Sequence, residues 1–207
     1  MTASLRYLAL GDSYTICTGA SDESHSWPGI ISDRLASATD RQTTVVNPAH
    51  NGFTTLDLIA RELPHLEEFR PDFVTVLIGV NDLVQGRYIE QYRDSLATIY
   101  DRIAALDLAR GRAVAISIPT WSYVPEAMRF GGAELVQELT DSFNAVARKE
   151  AESRGFAWVD ISVVSASAIG TPGWIASDDL HPGDKQYAAW AEVIWESVKD
   201  SWARTDL

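Results

Sequence analysis

Apolar positions along this chain alternate between two rhythms. Leu5–Leu10, Thr43–Asn47, Phe73–Gly79, Ala113–Pro119 and Ala157–Ile161 are short apolar or β-branched runs carrying few charges. Runs that are apolar on both faces read as strands of a parallel sheet covered by helices on both sides. Between them the period turns helical. Leu56, Ile59, Leu63 and Leu66 form one stripe, and Ile89, Tyr92, Leu96, Ile99, Ile103 and Leu106 a longer one. Leu135 or Val136, Leu139, Phe143 and Val146 give a third stripe, and Tyr187, Trp190, Ala191, Ile194 and Val198 the last. Such spacing lines one face of an amphipathic helix. Strands alternating with helices predict right-handed βαβ units, hence a three-layer α/β/α sandwich around a five-stranded parallel sheet. No linker, charge block or repeat divides the chain, so residues 1–207 are expected to form one domain.

Composition narrows the function classes. With 207 residues, 46% of them hydrophobic, the chain is long and apolar enough to bury a sizeable core and is not a disordered segment. Seventeen Lys and Arg against 29 Asp and Glu give a net charge of -12. That field repels phosphate backbones, so no nucleic-acid partner is expected. The one cysteine, Cys17, excludes an internal disulfide and any C-x-x-C site, and reads as a packed thiol. No apolar run is long enough for a membrane span. The start, MTASLRYLAL, lacks an apolar h-region before a small-residue cleavage site; a cytoplasmic location is the expectation unless a leader has been removed. Dinucleotide and Walker-type glycine loops are missing. His25, His50 and His65 are scattered without metal-ligand spacing, so no metal or other cofactor is expected.

In open parallel sheets, ligands bind beyond the carboxyl ends of the strands. The residues following each strand are therefore the ones to examine. Gly11-Asp12-Ser13 follows the first strand. Ser13 there is either a nucleophile or the cap of a helical turn. Asn51-Gly52 follows the second, and Thr54 or Thr55 can cap the next helix. Gly79-Val80-Asn81-Asp82 follows the third. Asn81 either holds a turn through its own backbone or aims an amide N–H at a developing oxyanion. Asp178-Asp179-Leu180-His181-Pro182 precedes the last helix. A carboxylate three residues from a histidine can orient the imidazole and fix its tautomer, as a general base requires, or simply cap the helix.

Taken in order, these segments resemble the SGNH hydrolases, the GDSL-type esterases and lipases, over nearly the whole chain. Ser13 matches the family's serine in L-G-D-S, Gly52 its second-block glycine, and Asn81 the asparagine of G-x-N-D. Asp178 and His181 match D-x-x-H-P. The resemblance implies a flavodoxin-like fold and hydrolysis of acyl esters through a serine acyl-enzyme. Ser13, His181 and Asp178 would form the triad, with an oxyanion hole made by the Ser13 and Gly52 N–H groups and the Asn81 amide. The same site in this family also serves carbohydrate acetyl-esterases, lysophospholipases, thioesterases and acyltransferases, and a binding module could keep the fold without turnover. With 207 residues and no lid-like apolar insertion, small soluble acyl esters are the expected substrates. Trp121 and Tyr123, in the long segment after the fourth strand, are candidates to wall the substrate pocket.

Overall fold

A computed structural model describes residues 4–204. Five strands, β1 (Leu5–Gly11), β2 (Thr43–Val46), β3 (Phe73–Leu77), β4 (Ala113–Ile116) and β5 (Ala157–Val159), form one sheet in the order β2-β1-β3-β4-β5. Every neighbouring pair is parallel. Every residue of β3 and β4 is buried, as double-sided covering requires. Four short helices, α1 (Ser13–Ile16), α3 (Thr55–Asp57), α5 (Val80–Val84) and α8 (Ser162–Ser165), follow the carboxyl ends of strands. The longer helices cover the sheet. Of these, α2 (Trp27–Thr39) packs with α9 (Asp184–Trp202), and α6 (Ile89–Ala104) with α7 (Ala133–Glu152). This is the three-layer α/β/α sandwich predicted from the alternating pattern, with the flavodoxin-like strand order that the family resemblance implies. The strands are shorter than their apolar runs: β3 stops at Leu77 and β4 at Ile116, and the remaining apolar residues line the turns beyond the sheet.

The α9 stripe is buried as its spacing predicts, with Tyr187, Trp190, Ala191, Ile194 and Val198 all inside the core. Two other stripes are corrected. In α7 the buried face runs through Val136, Thr140, Phe143, Ala147 and Ala151, while Leu135 and Leu139 are exposed. Between β2 and β3 the helix is not regular. The short α3 passes into a π-helical turn, Leu58–Glu62, and then into α4 (Pro64–Phe69). The Leu63 N–H reaches back five residues to the Leu58 carbonyl (3.1 Å). The extra residue rotates the inward face, so Leu56 points to solvent while Leu58, Glu62, Leu63 and Leu66 are buried.

The chain leaves β1 for the edge strand β2 and then returns across β1 to β3. Crossovers diverge on the two sides of the β1–β3 pair, which opens a crevice at their carboxyl ends. The segments that enter this crevice are α1 and α5.

Candidate active site

Gly11 ends β1 opposite Leu77 of β3. A Cβ at Gly11 would lie 2.1 Å from Thr15 Oγ1 and 2.3 Å from the Leu77 carbonyl, so only glycine fits where the chain turns sharply out of the sheet. Asp12 then caps α1, its Oδ1 accepting the Tyr14 N–H at 3.0 Å. This places Ser13 in the first helical position, where backbone N–H groups have no partner inside the helix. The short helix closes with Cys17 in the left-handed conformation. Its thiol is buried, and that burial pushes its pKa far up, consistent with a packed residue rather than a nucleophile. The Tyr14 carbonyl accepts from the Trp27 indole (2.8 Å) and the Thr15 carbonyl from Asn47 Nδ2 (2.8 Å). The elbow that carries Ser13 is thus held from α2 and from the end of β2.

Asn81 lies in the first turn of α5, directly beyond Gly79. Its Nδ2 donates to the Phe53 carbonyl at 2.9 Å, and Asp12 Oδ2 lies 3.4 Å away. The amide therefore clasps the Phe53–Thr54 peptide, just beyond Gly52, toward the Ser13 elbow. Gly52 adopts φ +81° with open space where a Cβ would be, and takes part in no hydrogen bond among the described residues. The neighbouring Asp82 is fully buried and organises the start of α3. It accepts the Thr55 N–H (2.8 Å), the Thr55 hydroxyl (2.6 Å) and Arg87 Nη1 (2.6 Å). A charge-assisted network of this kind locks α5 to α3, fixing the two segments that bear Asn81 and Gly52.

The D-x-x-H segment is a tight hairpin. The Ala176 N–H donates to the His181 carbonyl (2.8 Å), Asp179 sits at φ +57°, and Ile175 pairs with Pro182. Asp178 Oδ1 accepts the Leu180 and His181 N–H groups (3.0 and 2.9 Å), while Oδ2 meets His181 Nδ1 at 2.6 Å. Partial burial raises the Asp178 pKa, but hydrogen bonds from the His181 ring and from the two backbone N–H groups outweigh it and hold the carboxyl below its usual value. A carboxylate has no proton to give, so the ring proton resides on Nδ1 and neutral His181 keeps its Nε2 lone pair free. The Tyr14 ring supports the imidazole edge-on at 6.4 Å.

Ser13, Asn81 and His181 line one cavity of about 190 Å³, with Val80, Val84, Trp121, Phe130 and Leu180 as its apolar wall. Trp121 is pinned there by its indole N–H on Thr140 Oγ1 (3.1 Å) and by an edge-on contact with Phe130. Gly52 and Tyr123 are not part of this lining. The Tyr123 hydroxyl donates to the Ser165 carbonyl (2.8 Å) and accepts from Gln186 Nε2 (2.9 Å), which ties it into the framework beneath the loop. Two carboxyls are buried near the elbow: Asp12, which belongs to the L-G-D-S string, and Glu62, which belongs to no motif in the sequence. Burial pushes Asp12 up to about 7 and Glu62 up to about 8. The helical stripe read from the sequence does not mark Glu62, because the π-helical turn Leu58–Glu62 shifts which residues face inward. Among the described residues, no group of three or more His, Cys, Asp or Glu side chains could hold a metal ion, and no helix is long and apolar enough to cross a membrane.

Comparison with known proteins agrees with the fold. Esterase TesA of Pseudomonas aeruginosa is 24% identical over 192 residues, covering 93% of this chain and 87% of the relative. An acetylxylan esterase from Geobacillus stearothermophilus superposes with a TM-score of 0.74 at 21% identity, covering 99% of this chain and all of the other. An α/β hydrolase from the metagenome of Lake Arreo, Spain, reaches 0.76 at 19% identity, with 96% and 97% covered. The sequence model of the GDSL-like lipase/acylhydrolase family matches residues 9–189, a span that begins in β1 and ends in α9 and so takes in every motif described above. With its fold, its crevice and most of its length accounted for, the chain belongs to the GDSL-like lipase/acylhydrolase family.

Proposed function

We propose that the protein is a serine esterase that hydrolyses small acyl esters. The observation that carries the reading is the meeting of Ser13, Asn81 and His181 in one cavity, with Asp178 bonded to the far nitrogen of the histidine. His181 Nε2 takes the hydroxyl proton as Ser13 Oγ attacks the ester carbonyl, and Asp178 stabilises the imidazolium that forms. The negative charge on the tetrahedral oxygen falls to the Ser13 and Gly52 N–H groups and to the Asn81 amide. His181 then protonates the leaving alcohol. A water molecule, deprotonated by His181 in its turn, attacks the acyl-enzyme, releases the acid and frees Ser13. The size of the cavity supports short acyl groups. At about 190 Å³ it is smaller than the roughly 300–1,000 Å³ of pockets that enclose drug-sized ligands, and Trp121 and Phe130 close its wall. Similarity to an acetylxylan esterase is in keeping with an acetyl-sized group.

A fluorophosphonate probe tests the nucleophile. One adduct, located on Ser13 by peptide mass mapping and absent from Ser13→Ala, is the expected result; an adduct elsewhere, or full activity in Ser13→Ala, refutes the assignment. A panel of p-nitrophenyl esters of increasing chain length, with acetylated sugars beside it, then reads the acyl preference. Efficiency rising steadily with chain length would contradict the short-acyl reading.

A further inference from the structure

Glu62 is a carboxyl with no place in the chemistry just described, yet it is fully buried beneath the nucleophile elbow. Its Oε2 accepts the Gly11 N–H at 2.9 Å, across 51 residues of sequence, and its Oε1 has no hydrogen-bond partner among the described residues. A buried polar atom left unpaired lacks the bonds that water would give it and is costly to keep. The backbone is distorted to bring it there, because Glu62 closes the π-helical turn Leu58–Glu62 whose extra residue turns this side chain inward. Such turns concentrate at functional sites. Gly11 is the last residue before Asp12 and Ser13, and its N–H has no strand neighbour beyond the end of β2, which stops at Val46.

From this juxtaposition we propose that Glu62 is a positioning residue: by accepting the Gly11 N–H it fixes the peptide from which Ser13 projects, and with it the aim of the hydroxyl and of the Ser13 N–H. The proposal rests on Ser13 being the nucleophile. Desolvation raises the Glu62 pKa to about 8, with Asp12 and Asp57 opposing its ionisation, so near neutral pH the side chain is the uncharged acid. Glutamine is then its closest mimic, keeping both the reach and the acceptor. Aspartate is one methylene too short, and leucine fills the volume without an acceptor.

The test compares Glu62→Gln, Glu62→Asp and Glu62→Leu in two readouts, steady-state kinetics on a short p-nitrophenyl ester and the second-order rate of fluorophosphonate labelling at Ser13. Glu62→Asp and Glu62→Leu are expected to lose about 10–100-fold in kcat and in labelling rate with KM little changed, since small misplacement of a reacting group has costs of that order. Glu62→Gln should remain within about threefold of wild type. Wild-type labelling rates in Glu62→Asp, or a loss in Glu62→Gln equal to that in Glu62→Asp, would overturn the proposal while leaving Ser13 as nucleophile. Should Glu62→Leu not fold, the Gln–Asp pair decides on its own. Labelling of a residue other than Ser13 in the wild type would instead remove the reading on which the proposal stands.

Discussion

Replacing Glu62 by glutamine should change how stability depends on pH, independently of any effect on catalysis. Burial raises this carboxyl from an ordinary value of 4.5 to about 8 in the folded protein. A native value above the unfolded one means that the folded state binds the proton more tightly. The stability this provides is complete below the unfolded value and disappears as pH climbs through the folded one. With the two values above, the linkage relation gives a loss of roughly 4 kcal/mol from pH 5 to pH 9. Glutamine cannot ionise, so this particular loss is missing from Glu62→Gln. Its amide group does leave a donor buried without a partner, at a cost of about 1–3 kcal/mol, but that cost does not vary with pH. The informative quantity is therefore the stability difference between variant and wild type, measured by urea unfolding at pH 5, 7 and 9. It should move in favour of the variant by roughly 3–4 kcal/mol over that interval, with unchanged slope m. A difference that is constant across pH would show that Glu62 titrates normally, and the account of its burial would fail.

Asn81→Ala should lower kcat about 10²–10³-fold on p-nitrophenyl acetate, because under the proposed mechanism it removes an oxyanion donor and it also releases the Phe53–Thr54 peptide; a variant that loses only melting temperature would reduce Asn81 to a clasp. Asp178→Asn should impair kcat far more than Asp179→Asn, since only Asp178 contacts the imidazole and Asp179 serves as a left-handed turn residue that asparagine replaces comfortably. Equal small losses in the two would leave a Ser–His pair acting without its carboxylate. Gly11→Ala should destabilise the fold by about 3 kcal/mol in chemical denaturation, because the new methyl group meets the Leu77 carbonyl and Thr15 at less than contact distance; wild-type stability would mean the elbow relaxes freely.

Much of this site is legible in the order of the residues, and the parts that are legible share a property. Gly11-Asp12-Ser13, Asn81-Asp82 and Asp178-x-x-His181 are each short strings whose spacing encodes one turn, so the geometry they adopt is local and travels with the letters. The alternation of buried strands with amphipathic helices is local too, which is why the sheet and the α9 stripe follow directly from periodicity. Where periodicity misleads, an offset has entered that the letters do not mark. One inserted residue in the π-helical turn moves Leu56 out and Glu62 in, and α7 buries Val136, one of the two starting residues the stripe allowed, and then Thr140 in place of Leu139. Tyr123 and Trp121 stand two residues apart in one loop, yet packing sends Trp121 to the cavity wall and Tyr123 to the Ser165 carbonyl. The sequence by itself determined the elements and the identity of the candidate reacting groups. The tertiary structure decided the strand order that brings β1 beside β3, the common cavity of Ser13, Asn81 and His181, and the bond from Glu62 to Gly11. Those relations join residues far apart in the chain, and only the packing that offsets their desolvation selects one partner among many.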